Sequence, residues 1–240
     1  LWKIRGVPMF YFIYHQVPLR DEFFPVLMQR TEVMTCFYVV PILLGISVIC
    51  WSARWLILTQ SVATTMAMLG LCIHQQTYND VTFMTCFWAS AWCLWYSLRM
   101  GDPVDELRIK AGRLSVLILS MIFLGGAVGK LTPGYWSGEV LYQIYFVERD
   151  FWIFNLLRSQ FELETVRTLA THYSRIVIVI ETAGAFLWLL PTRMACFIAI
   201  GVLFSIAIFS NFYLFSVMSC LFGLGVAGLY RPQTAELKRP

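Results

Sequence analysis

Three side chains stand where polar groups are scarce and a proton could be exchanged: Lys130, Glu181 and His74. Glu181 is the plainest, the single charged residue of the apolar stretch Ile176–Pro191. Lys130 closes the apolar run Leu114–Gly129, and His74 ends Trp55–His74, followed by Gln75 and Gln76. Ionisable groups at membrane depth are costly, so each is a functional suspect. An amine held against an apolar wall gives up its proton more readily than in water, and a carboxylate or imidazole beside it tunes that exchange. The chemistry to expect is proton abstraction by Lys130, tuned by Glu181 and His74. Structural explanations stand beside it. Lys130 can snorkel to an interface, Glu181 can pair with a cation inside a bundle, and His74 can be a hydrogen-bonded interface residue. His15 and His172 lie in surface segments and receive no role. No metal-ligand spacing, phosphate-binding glycine loop or nucleophile elbow occurs, so no metal is expected. The residues name no cofactor; a bound lipid would suit such a site.

The elements that must position these groups follow from composition. Of 240 residues, 59% are hydrophobic and 13% charged, and the mean hydropathy is +0.68. A soluble domain is about 45–50% apolar and about 25% charged. This inventory therefore argues against a soluble enzyme, a nucleic-acid module and a disordered chain. The formal charge of +4 can reside in loops. The seven cysteines lie in or beside apolar runs and form no Cys-x-x-Cys pair, which points to packing rather than redox chemistry.

A spanning helix needs about 20 mainly apolar residues. Val33–Ala53, Trp55–His74 and Val81–Leu98 contain no Lys, Arg, Asp or Glu. Leu114–Gly129 follows a charged loop, and Ile176–Pro191 follows the long connection Leu131–Arg175. Met194–Leu229 is too long for one crossing, and Ser210–Asn211 suits a turn between two short helices. The expected fold is therefore all-α: a polytopic transmembrane bundle of about seven spans. Residues 1–32 form an N-terminal interfacial or re-entrant segment, 33–229 the bundle with an extracytoplasmic loop over 131–175, and 230–240 a polar tail. Position 1 is Leu, which leaves open an unseen start or a removed leader.

Basic residues divide evenly between the two sides, but on one side they sit in short loops near span ends, which marks that side as cytoplasmic. Lys130, Glu181 and His74 then share the opposite leaflet, with Glu181 about 7–8 Å along its helix. In the long connection, Leu163, Val166, Ala170 and Tyr173 follow helical spacing, with Glu162, Glu164 and Arg167 opposite. That pattern fits an amphipathic helix on the membrane surface or one packed over the bundle mouth. Gly125 and Gly129 form a Gly-x-x-x-Gly pair, a face that lets helix backbones approach, and Gly223, Gly225 and Gly228 offer another.

The stretch Gly126–Leu141, GAVGKLTPGYWSGEVL, resembles the signature of the horizontally transferred transmembrane domain family, which includes the membrane part of vitamin K-dependent gamma-glutamyl carboxylase. The similar positions are Lys130, Leu131, Trp136 and Gly138. Glu181 with Pro191 and Arg193, and the turn Phe209–Ser216 between the last helices, extend the likeness. The resemblance implies that Lys130 is the lysine that deprotonates a reduced quinone, with His74 matching a nearby histidine. A histidine usual in the penultimate family helix has no counterpart around Val202–Ile208. With only Tyr230–Pro240 after the last span, propeptide-directed protein carboxylation is not expected.

Three functions are compatible with this pattern. The first is an accessory or assembly subunit of a larger membrane complex, with lipids and protein subunits as partners and no nucleic acid. The second is a membrane enzyme using Lys130 as a base on a quinone-like substrate. The third, a small-solute or proton transporter, asks for more buried charges than Glu181 alone provides. The expected location is a bacterial or organellar inner membrane.

Overall fold

A computed structural model describes residues 30–74, 81–148, 150, 152–209 and 215–229. The expected N-terminal segment and the polar tail lie almost wholly outside these residues, as does Ser210–Asn211. Most of the described residues are helical, and none of them lies in a strand. The chain divides at Leu107/Arg108 into two compact units.

The first unit contains α1 (Thr31–Trp51), α2 (Arg54–His74) and α3 (Val81–Leu98). Their bounds fall within two residues of the apolar runs, because charge and turn-forming residues end each run. Ser52 adopts a left-handed conformation (φ 43°) and returns its N–H to Val48, which ends α1 sharply. Pro41 lies within α1, a residue tolerated in apolar helices whose neighbours re-satisfy the freed backbone. Met34 and Tyr38 of α1 pack with Leu71 and Cys72 of α2, joining the start of one helix to the end of the next. Ser61 and Ser97 are hydrogen-bonded at 2.9 Å and tie the start of α2 to the end of α3. Hydroxyls along these helices mostly return to the carbonyl one turn back, as Thr35 does to Thr31 and Thr59 to Trp55. A polar side chain thereby satisfies itself without water.

In the second unit, α4 (Val104–Lys130) begins at the boundary and is followed by two short helices, α5 (Pro133–Trp136) and α6 (Glu139–Leu141). A π-helical segment (Tyr142–Glu148), α7 (Trp152–Gln160), α8 (Leu163–Gly184), a 3-10 turn (Leu187–Leu189), α9 (Thr192–Phe209) and α10 (Phe215–Leu229) complete it. Small residues set the helix contacts. A Cβ on Gly112 would lie 3.2 Å from the Gly228 carbonyl, and one on Gly184 would reach within 2.7 Å of the Phe123 ring. α4 thus approaches α10 and α8 closely.

Among the described residues, three helices are long and apolar enough, by length and composition, to cross a membrane: Thr31–Trp51, Arg54–Ile73 and Val104–Lys130. Of the Met194–Leu229 stretch, the described residues are helical up to Phe209 (α9) and again from Phe215 (α10). The region between Leu131 and Arg175 is more helical than a connecting loop. Nor does the chain restart at Ile176: α8 runs without a break from Leu163 to Gly184, since no proline or glycine intervenes. It stops where Gly184 meets Phe123, short of Pro191. On α8, Val166 and Ala170 pack against Phe146 and Phe154, and the buried stripe continues through Ser174 and Ile178. Leu163 is exposed.

Candidate functional site

Lys130 is the last residue of α4, and the chain breaks its helix at once with Leu131, Thr132 and Pro133. Thr132 is the N-cap of α5, accepting from the Tyr135 backbone N–H, while Pro133 occupies the first turn, where its missing N–H costs nothing. A cation at a helix C-terminus is favoured by the backbone dipole, which suits Lys130 to this end of α4.

Glu181 approaches from α8, 51 residues further along the chain. Lys130 Nζ donates to Glu181 Oε2 at 2.7 Å and to Oε1 at 3.0 Å, with the Gly126 carbonyl at 3.4 Å. The two side chains are 21% and 13% exposed, so the pair is shielded yet reachable from outside. The Tyr135 ring centroid lies 5.9 Å from Nζ, within cation–π range. Gly126 makes the approach possible, because a Cβ there would lie 2.9 Å from Glu181 Oε2.

The segment after Lys130 is pinned to the helix that carries Glu181. Ser174 donates its hydroxyl to the Tyr135 carbonyl, and Thr171 donates to the Ser137 carbonyl at 2.7 Å. Arg175 donates to the Trp136 carbonyl at 3.4 Å, and its guanidinium lies 5.5 Å from the Trp136 ring centroid. Gly138 takes φ +83°, and a Cβ there would collide with the Thr171 backbone. Nearby, burial holds the Tyr173 phenol well above the usual tyrosine range, with Tyr145 and the Glu181 carboxylate pushing the same way. No family model, curated protein or solved structure matches this chain.

Of the sequence-predicted residues, Lys130 and Glu181 are brought into direct contact. His74 closes α2, but its side chain lies outside the described residues. Leu131 is exposed and Trp136 half-exposed, stacked under Arg175. Gly125 and Gly129 meet nothing within 4 Å; close approach on this helix is carried by Gly126, between them. Gly225 and Gly228 do pack, against Ile200 and Cys196. Sequence reasoning missed Tyr135, Thr171 and Ser174 as the residues that hold the site. A signal for Ser174 was present, since it lies four residues beyond Ala170 and four before Ile178 on one helix face. Nothing local marks Tyr135, whose role depends on the turn after Lys130.

Chemically, the arrangement is an amine and a carboxylate joined by two charge-assisted hydrogen bonds, with a backbone carbonyl and an aromatic face beside them. It can store a proton on either partner. It can also present a cationic centre to an anion that displaces the carboxylate.

Proposed function

We propose that this chain is an integral membrane helical bundle whose chemical centre is the Lys130–Glu181 pair, acting as a base on a lipid-soluble weak acid of the quinol class. The single observation that carries the reading is the 2.7 Å contact between two ionisable groups on separate helices, shielded but not sealed. Nζ and Oε2 are close enough to exchange a proton, and that exchange leaves a neutral amine beside a neutral acid. The neutral amine then accepts the proton of the quinol hydroxyl. The resulting quinolate is held by the ammonium it has created, and Glu181 releases its proton to water. The likeness of Gly126–Leu141 to the horizontally transferred transmembrane domain signature supports the same assignment for Lys130.

This reading includes about seven spans, with α8 beginning as an amphipathic helix at the membrane surface and the site on the extracytoplasmic side. It places the protein in a bacterial or organellar inner membrane. His74 is assigned a tuning role through the same resemblance.

A second reading, an accessory subunit of a membrane complex, is favoured by α1. That helix buries only Met34 and Tyr38 and leaves Val40, Leu43, Ile46 and Ile49 exposed, a surface for lipid or for a partner helix.

One experiment separates the two. The protein in lipid nanodiscs is supplied with a short-tailed naphthoquinol, and aerobic oxidation, which proceeds through the quinolate, is followed optically. Wild type should exceed Lys130→Met by about a hundredfold, the lower range for general-base catalysis. Equal rates, with stoichiometric protein subunits seen by native mass spectrometry of the gently solubilised protein, would decide for the accessory role.

A further inference from the structure

The first unit carries a cavity of about 300 Å³ between α2 and α3, and its lining is unusual for an apolar helix pair. Four buried side-chain polar atoms among the described residues have no hydrogen-bond partner within the protein, and two of them, Gln60 Oε1 and Thr64 Oγ1, belong to residues lining this one cavity. They lie four residues apart on α2, hence on the same face one turn apart. An unsatisfied buried polar group is destabilising. Two in one cavity are therefore open to a partner from outside the protein, water or a ligand.

The Ser61 and Ser97 hydroxyls do not donate to Gln60. Ser61 lies 2.8 Å from the Ile57 carbonyl, Ser97 lies 2.7 Å from the Cys93 carbonyl, and the two hydroxyls bond each other. Their two protons are already engaged. Thr65 donates to the Ser61 carbonyl, whereas Thr64 makes no such return bond. Gln60 is also confined on its other side, since a Cβ on Gly45 would lie 3.5 Å from Nε2.

The chemistry of the lining selects the ligand. No Asp, Glu, Lys, Arg or His borders the cavity, so a charged group would be buried without a counter-ion. Gln60 Oε1 accepts only and requires a donor, while the Thr64 hydroxyl can donate. One hydroxyl group does both at once, donating to Gln60 and accepting from Thr64. Trp92 and Tyr96, stacked with centroids 5.3 Å apart and 14° between planes, supply a flat aromatic surface for an apolar body. The volume is about ten times one water's share of the liquid, and at the small end of ligand pockets.

We propose that this cavity binds a neutral alcohol-headed lipid, a long-chain or isoprenoid alcohol whose hydroxyl lies between Gln60 and Thr64 and whose chain begins against Trp92 and Tyr96. The site is built from residues of the first unit alone and does not depend on the chemistry assigned to Lys130 and Glu181.

The test is photo-crosslinking of the full chain in nanodiscs with diazirine-bearing hexadecanol. Adducts are mapped by mass spectrometry and competed with unlabelled hexadecanol. Saturable labelling is expected in 57–64 and 90–97. The corresponding methyl ether, which cannot donate, and the diazirine fatty acid, which is charged at neutral pH, should each label these segments at least tenfold less. Gln60→Leu/Thr64→Val should lose the saturable labelling while its melting temperature holds or rises, because the orphaned polar atoms are gone. Equal labelling by alcohol and ether, or labelling that hexadecanol does not compete, overturns the proposal. Absence of saturable labelling does so too and leaves a cavity for water. Should the double variant not fold, the comparison of alcohol with ether on wild type still decides.

Discussion

Gly126 and Glu181 are matched across two helices: the carboxylate occupies the space a side chain at 126 would need, and a Cβ there would lie 2.9 Å from Oε2. The glycine gives the acid room to lie against α4 and reach the ammonium one turn further on. Gly126→Ala should therefore push the carboxylate, the far end of a flexible side chain, off Lys130, and the loss of about 1 kcal/mol or less should come from the weakened pair rather than from overpacking. The shift in denaturation midpoint of the protein in mild detergent measures it. Gly125→Ala, which meets open space, should cost nothing through packing and gain slightly in helix propensity.

The pair itself should show strong coupling. Removing one partner leaves a shielded charge unpaired, which costs about 3–5 kcal/mol in a fully buried pair and less here, where both groups keep some exposure. Glu181→Gln and Lys130→Met should each destabilise by about 1–3 kcal/mol, and the double variant should recover part of that loss. A double-mutant cycle on unfolding free energies reads the coupling. Additive losses would mean that the contact contributes nothing.

How much of this was legible beforehand differs between unit and site. Helices α1 to α3 could be read almost to the residue, because an apolar run bounded by charge or by a turn is a strong local signal. The end of α8 could not. Gly184 stops against Phe123, a residue of another helix, and no local pattern announces that. The pairing of Lys130 with Glu181 was half legible: each stood out as a charge in an apolar stretch, but their contact depends on Gly126, which reads locally as one small residue among several. The cavity beside Gln60 was invisible in sequence, because Ser and Thr in apolar helices normally return to the preceding turn. Only packing reveals that Thr64 does not.

Gly138 should be the least replaceable glycine of the site. Its φ of +83° disfavours any side chain, and the Thr171 backbone fills the space a Cβ would need. Gly138→Ala should cost about 1–3 kcal/mol from conformation alone. Because this turn pins the segment after Lys130 to α8, the variant should also release the Trp136–Arg175 stacking. A red shift in tryptophan emission, absent in a Trp136→Phe background, checks it.

Tyr173 sets the alkaline limit. Its folded-state pKa is raised, chiefly by burial, so the folded protein holds the phenol proton more tightly than the unfolded chain. The stabilisation is complete below the ordinary tyrosine value of about 10 and declines as pH rises above it. Tyr173→Phe should flatten that decline without changing behaviour at neutral pH. Melting temperatures between pH 8 and about 11.5, compared for the two proteins, test the sign.

The last expectation concerns what solvates α1. Leu43 sits near the middle of this 21-residue helix and is 58% exposed. If lipid surrounds it, Leu43→Lys places an ammonium near the bilayer centre, at a cost of about 2.5–3.5 kcal/mol on insertion scales. If water surrounds it, the same change costs almost nothing. The membrane reading predicts a clear fall in the fraction of α1 integrated, measured by glycosylation mapping in microsomes, with Leu43→Phe unaffected. A parent α1 that does not integrate, with a lysine variant that melts like it, would place this helix in water and remove the membrane setting on which the Lys130–Glu181 chemistry depends.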